Sequence, residues 1–133
     1  MYANENQTIS QAGWSEYIFW LLGQRQRFIV RENSMVPTLM PGDTVLAEIG
    51  KTVHVGDIAI VRWKNPSDET SATSVSASEF LLIKRVNHIF DDGALYLISD
   101  NLVDFSVRDS RHFGSLSVDK IVGRVTSRLA AAT

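Results

Sequence analysis

Between Trp14 and Leu22 the apolar residues fall at positions 14, 17, 18, 21 and 22, the i, i+3, i+4, i+7, i+8 repeat of a helix with one apolar face. Ser15 and Glu16 open its polar side. After Gly23 the repeat changes to short runs rich in Val, Ile and Phe, which predict strands over 28–30, 44–47, 57–63, 80–88, 95–99 and 121–125. Pro41-Gly42-Asp43 and Asp91-Asp92-Gly93 have the turn chemistry that separates strands. The pattern predicts a mainly β domain with a short N-terminal amphipathic helix.

The organisation follows from where that pattern starts and stops. Residues 1–13, rich in Asn, Gln, Ser and Thr, are expected to form a flexible arm, and 14–133 a single domain with its helix over 14–22. The Ser- and Thr-rich stretch 65–78 is expected to be a flexible loop, and no internal repeat interrupts the chain. With 133 residues, 44% hydrophobic and 21% charged, one core suffices without a metal or a disulfide. The chain has no cysteine, which excludes a cysteine nucleophile and a thiolate metal site.

Charge and hydropathy remove further classes. The formal charge of −2 offers no global attraction to nucleic acid, and the small cluster of Arg25, Arg27 and Arg31 reads as a solvated face or a contact for an acidic substrate segment. The longest apolar run near the N-terminus, Tyr17 to Leu22, has six residues where a spanning helix needs about 20. Residues 1–13 lack the Lys or Arg of a secretory signal, so the expectation is a cytoplasmic protein without a transmembrane anchor. The 14–22 helix either packs on the domain or touches a membrane or partner through Trp14, Phe19 and Trp20.

Catalytic chemistry narrows to two residues. Ser34 lies in the turn-rich segment Ser34-Met35-Val36-Pro37-Thr38-Leu39-Met40-Pro41-Gly42-Asp43, and a serine hydroxyl becomes a nucleophile only with a base in reach. His54, His88 and His112 belong to no recognisable triad, and neither a G-x-S-x-G elbow nor an H-E-x-x-H motif is present. Lys84 follows Phe80-Leu81-Leu82-Ile83 in an apolar strand, where it must either snorkel to water or be desolvated. Desolvation lowers the pKa of a lysine toward the range where its amine is a general base.

Taken in order, Ser34-Met35-x-Pro37-Thr38-Leu39, Pro41-Gly42-Asp43, Val55-Gly56-Asp57-Ile58, Lys84-Arg85-Val86, Asp100-Asn101, Asp109-Ser110-Arg111-x-Phe113-Gly114 and Ile121-x-Gly123-Arg124-Val125 resemble the motif series of type I signal peptidases. The resemblance covers 29 to about 125, and in length and lack of a spanning segment the chain is similar to the maturation proteases of nickel-type superoxide dismutase. It implies a signal peptidase-like coiled β-sheet catalytic domain needing no cofactor or metal. Its implied substrate is a precursor protein, the nickel superoxide dismutase proprotein, from which an N-terminal extension is removed.

By the same resemblance Ser34 is the nucleophile, Lys84 its base, and the Ser34 N–H an oxyanion donor. Met35 packs beside the cleft, Ser106 orients the lysine, and Asp109 and Arg111 form a supporting ion pair. The chain departs from the family pattern at Glu32, where many members have serine or glycine, and in the longer stretch 101–109. Two alternatives stand beside this. Self-cleaving regulators of the SOS response also use a Ser-Lys dyad, and Ala12-Gly13 offers a bond of the type they cut. A β domain that binds peptides by strand addition would need no catalysis.

Overall fold

The computed structural model describes residues 9–64, 79–104 and 106–132. Residues 1–8 of the expected arm and the expected loop over 65–78 lie outside the described residues. Helix α1 spans Trp14–Leu21 and is followed by β1 (Gln26–Ile29), β2 (Thr44–Ile49), β3 (Ile58–Lys64), β4 (Glu79–Ile89) and β5 (Leu95–Ile98). A one-turn helix α2 (Ser110–Phe113) and a 3₁₀ turn at Val118–Lys120 lead into β6 (Ile121–Ala130). The strands form one six-stranded antiparallel sheet in the order β1-β2-β6-β3-β4-β5. The fold is therefore mainly β, and each predicted run matches a strand of this sheet, with Val30, Asp57 and Ser99 falling one residue outside.

The central strand shows why the apolar runs are continuous and not alternating. Ile58, Ala59, Ile60 and Val61 are all buried. Ile58 and Ile60 join one cluster with Val30, Met35, Leu39, Val45, Ala47 and Val125, whereas Ala59 and Val61 join a second with Leu82, Val86, Leu95, Leu97 and Ile121. Each face of the sheet thus carries its own core, and side chains alternating along β3 feed both. β6 threads between β2 and β3 and approaches β2 closely. A Cβ on Gly123 would lie 2.5 Å from the Glu48 carbonyl oxygen, so only glycine lets these backbones meet.

The segment expected as a flexible arm is partly bound. β3 pairs with β6 only between Ile121 and Arg124, which leaves the far end of β6 with an open edge on that side. Residues 10–12 fill it: Arg128 N–H donates to the Ser10 carbonyl at 2.9 Å and Ala12 N–H donates to the Arg128 carbonyl at 2.8 Å. Gln11 forms a parallel bridge with Arg128, and Ile9 packs on the first cluster. Unpaired backbone groups at a sheet edge are satisfied by whatever chain passes in register, and this polar sequence supplies it.

Helix α1 is amphipathic but docks by its polar side. Glu16 accepts hydrogen bonds from the hydroxyls of Thr126 and Ser127 and from Arg25 Nε. The Arg25 guanidinium in turn lies 4.6 Å over the Phe19 ring. Burial works against the Glu16 charge, yet the Thr126, Ser127 and Arg25 contacts outweigh it and hold the carboxyl below its ordinary range. The stripe at 14, 17, 18, 21 and 22 consequently faces outward, with Trp14 87% and Leu21 82% exposed, while Phe19 and Trp20 are half-buried. No helix among the described residues is long and apolar enough to cross a membrane.

Two substitutions test these constraints. Gly123→Ala forces β2 and β6 apart and is expected to cost about 1–3 kcal/mol in urea unfolding. Glu16→Gln removes the anion that gathers Arg25, Thr126 and Ser127, and should raise amide exchange across α1 while leaving the central strands protected. The depressed Glu16 pKa has the same consequence without mutation. Its contribution is present above the ordinary carboxylate pKa and is lost as pH falls through the lowered one, so exchange in α1 should rise first on acidification.

Candidate active site

Ser34 lies between β1 and β2 in a segment clamped at both ends. At its far end Gly42 takes a positive φ of 94°, turning the chain into β2. There the buried Asp43 carboxylate accepts the N–H groups of Met40 at 2.9 Å and Ala132 at 2.7 Å. Leu39 N–H donates to the Met35 carbonyl, and Arg128 Nη2 donates to the Thr38 carbonyl, each at 2.9 Å. Ser34 and Met35 are both buried, at 4% and 1% exposure.

The near end is tied to the chain just after β5. Asn101 N–H donates to the Ser34 carbonyl at 2.9 Å, and Asn101 Nδ2 to the Asn33 carbonyl at 2.9 Å. Thr38 Oγ1 donates to Asp100 Oδ2 at 2.6 Å. Arg85 grips the same carboxylate with Nε at 3.2 Å and Nη2 at 2.5 Å, and its Nη1 donates to the Gly56 carbonyl at 2.8 Å. The motif pieces around Ser34, Gly56, Arg85 and Asp100 are therefore parts of one polar brace.

Lys84 sits on β4 opposite Ala59 of β3 and is 1% exposed. Its Nζ donates to Ser99 Oγ at 3.1 Å. Burial pushes the Lys84 pKa down. Glu32 and Asp109 oppose that shift through their charge, Arg111 reinforces it, and the net effect is a lowered value. Because Ser99 holds Lys84, Asp100 holds Thr38, and Asn101 holds the Ser34 carbonyl, three consecutive residues join the lysine strand to the serine segment.

Ser106 does not stand against the lysine. It is exposed, and its hydroxyl donates to Asp104 Oδ1 at 2.6 Å. The hydroxyl beside Lys84 belongs to Ser99, directly before Asp100. Strand pairing explains the difference: Arg85 opposes Ile98, so the next position outward brings Ser99 level with Lys84, whereas the longer stretch 101–109 carries Ser106 away. The strand register of β4 and β5 was the missing information.

Asp109 and Arg111 form the expected ion pair, with Arg111 Nη2 2.7 Å from Asp109 Oδ2 and Nε 3.0 Å from Oδ1. The Asp109 carboxylate is fully buried, caps α2 by accepting the Arg111 N–H, and accepts the Ser99 N–H at 2.8 Å. Burial opposes its ionisation, but Arg111, the backbone N–H groups and the Ser99 hydroxyl outweigh it and hold the carboxyl well below the ordinary range. Ser99 thus links Lys84 to an anion that is itself locked.

Two cavities flank Glu32. One, of about 550 Å³, is lined by Ser34 and Met35, by Arg27 to Glu32 along the edge of β1, and by Ile60, Phe80, Leu81 and Ile83. The other, of about 560 Å³, contains Arg31, Glu32, Trp63, Leu82, Ser106 and Arg108 among its lining residues. No histidine lines either. Ala12 and Gly13 line a separate hollow with Trp14 and Tyr17, which contains neither Ser34 nor Lys84.

A serine hydroxyl needs a base within reach before it can act as a nucleophile, and Ser34 and Lys84 are both buried and tied to residues 99–101. The family model described as Peptidase S24-like matches residues 5–126, and the chain belongs to that family. It is accordingly a serine peptidase of the kind related to signal peptidases. No curated protein matches the chain.

The Ser99 and Ser106 assignments separate cleanly by mutation. Ser99→Ala should lower kcat by up to about 100-fold with a smaller change in KM, and should shift the ascending limb of the pH profile, because the amine loses its hydroxyl partner. Ser106→Ala should leave that limb where it is. Asp109→Asn weakens the hydrogen bonds of a buried carboxylate while Arg111, half exposed, can turn to water, and is expected to cost about 1–3 kcal/mol of stability in thermal or urea unfolding.

Proposed function

We propose that the chain is an endopeptidase with a Ser34–Lys84 dyad that removes an N-terminal extension from a precursor protein, the nickel-type superoxide dismutase proprotein by the resemblance of its motifs. The observation that carries this reading is the convergence of a buried serine and a buried, hydroxyl-bound lysine on residues 99–101. The lowered Lys84 pKa supports it, since a base must be able to lie neutral near working pH.

In the proposed cycle neutral Lys84 Nζ takes the Ser34 Oγ proton as the oxygen attacks the scissile carbonyl carbon. The Ser34 N–H, which has no hydrogen-bond partner among the described residues, donates to the oxyanion. Collapse expels the amine with the proton from Lys84 and leaves an acyl ester on Ser34. Water then attacks that ester, giving a proton to Lys84, and the second collapse restores Ser34 and frees the new C-terminus. Ser99 holds Nζ in position throughout by accepting from it, its own proton directed to Asp109.

Incubation of a nickel superoxide dismutase precursor with the protein and with Ser34→Ala, followed by mass spectrometry, tests both parts. A single N-terminal cut made only by the unaltered enzyme is expected. Cleavage by both would remove Ser34 from the mechanism, and cleavage by neither, with turnover of other peptides, would remove the substrate. A fragment beginning at Gly13 in the absence of any substrate would point instead to self-cleavage.

The pH dependence has a definite sign. Activity should rise with pH as Lys84 deprotonates and level off below the ordinary lysine pKa. Between the lowered folded value and the ordinary one the unfolded chain binds the extra proton, so Lys84 also makes stability rise with pH across that window. Lys84→Met should abolish turnover and raise Tm at neutral pH, as read by calorimetry.

A further inference from the structure

We propose that Arg27 and Arg31 make the cleft selective for an extended substrate segment carrying acidic side chains four positions apart, with apolar or small residues between them. The inference rests on the peptidase reading for its consequence in turnover, but the binding preference stands on the geometry of β1 alone.

β1 is an edge strand, paired only with β2. Val30 N–H donates to the Asp43 carbonyl at 2.8 Å, and the Val30 carbonyl accepts from Gly42 N–H at 2.7 Å, so Val30 spends its backbone groups on the β2 side. Backbone groups alternate sides along a strand, which leaves those of Arg27, Ile29 and Arg31 on the open side. The stretch from Arg27 to Glu32 lines the cavity containing Ser34. A peptide strand laid there completes the ladder, which is strand addition in its simplest form.

Side chains alternate in the other direction. Phe28 and Val30 turn into the core, while Arg27, Ile29 and Arg31 are exposed together on the opposite face. A strand paired with β1 therefore meets a cation, an aliphatic residue and a second cation at every second position. Its intervening side chains turn the other way, toward a wall formed by Met35, Ile60 and Ile83. The matching substrate is acidic, then apolar opposite Ile29, then acidic, in either strand direction.

The charges are also uncommitted. Arg25, Arg85, Arg111, Arg124 and Arg128 each pair with an Asp or Glu of the scaffold. Among the described residues Arg27, Arg31, Arg62 and Arg108 have no such pair, and three of these four line the two cavities beside Glu32. Glu32 is the one acidic residue among the described lining of either cavity, so an acidic segment meets a net positive wall.

The test uses Ala- and Leu-based peptides with two glutamates four apart, compared with glutamine and lysine versions and with glutamates three apart, which fall on opposite faces. Fluorescence anisotropy with the full-length Ser34→Ala chain reads binding without turnover, and cleavage by the unaltered chain reads kcat/KM. The four-apart glutamate peptide should bind and turn over best, by at least about threefold over the glutamine version and more at low salt. Arg27→Glu with Arg31→Glu should invert the order toward lysine, and the two Arg→Gln changes should flatten it. Equal binding of all versions, or an order unchanged by the double reversal, overturns the inference. Preferential binding of the four-apart peptide without any Ser34-dependent cleavage would uphold the inference and overturn the peptidase reading instead.

Discussion

An amine that water cannot reach needs some other partner, and the partner that Lys84 receives is a hydroxyl, not a carboxylate. That choice governs the site. A carboxylate in van der Waals contact would hold the ammonium form and raise the pKa; the Ser99 hydroxyl satisfies one proton of Nζ without adding charge, so desolvation dominates. The anion that could have competed, Asp109, is occupied by Arg111, two backbone N–H groups and Ser99 itself. The ion pair behind the lysine keeps a negative charge fixed on other donors and out of direct contact with the amine.

The same physics explains how Asp100 and Asp109 can be buried. A carboxylate inside a protein is costly unless every oxygen is used. Asp100 uses its oxygens on Arg85 and Thr38, and Asp109 on Arg111 and Ser99. The Thr38–Asp100 contact crosses between elements that the sheet does not itself connect, since the serine segment lies between β1 and β2 and Asp100 follows β5. Strand pairing organises the sheet, and the Arg85–Asp100–Thr38 brace together with the Asn101 hydrogen bonds sets the serine segment against the end of β5. On the cleft side the logic reverses, since among the described residues Arg27, Arg31 and Arg108 pair with no scaffold carboxylate.

Much of the fold was legible in the chain because burial leaves a periodic mark. Runs such as Ile58 to Val61 and Leu95 to Leu97 are apolar because cores lie against the sheet, and the turn at Pro41-Gly42-Asp43 carries its own local chemistry. The helix shows the limit of that reasoning. Its stripe at 14, 17, 18, 21 and 22 was plain, but periodicity reports that a helix has two faces and is silent on which one docks. Glu16 decided that, by finding Thr126, Ser127 and Arg25 in an element more than a hundred residues away and in the turn after the helix. Residues 10–12 joined β6 for a related reason: an open edge exists only once β3 has been placed beside it.

The sequence by itself determined the strand-rich class and the motif order, and through the resemblance of those motifs it singled out Ser34 and Lys84 as candidates, because a serine in a turn and a lysine in an apolar run are local facts. Only the tertiary structure decided which serine stands beside that lysine. Ser99 and Ser106 are equally polar, both close to the motif aspartates, and nothing local distinguishes them. The register of β4 on β5 does, since Arg85 opposite Ile98 brings Ser99 level with Lys84, and hydrogen-bond partners across strands are set by that alignment and not by spacing along the chain.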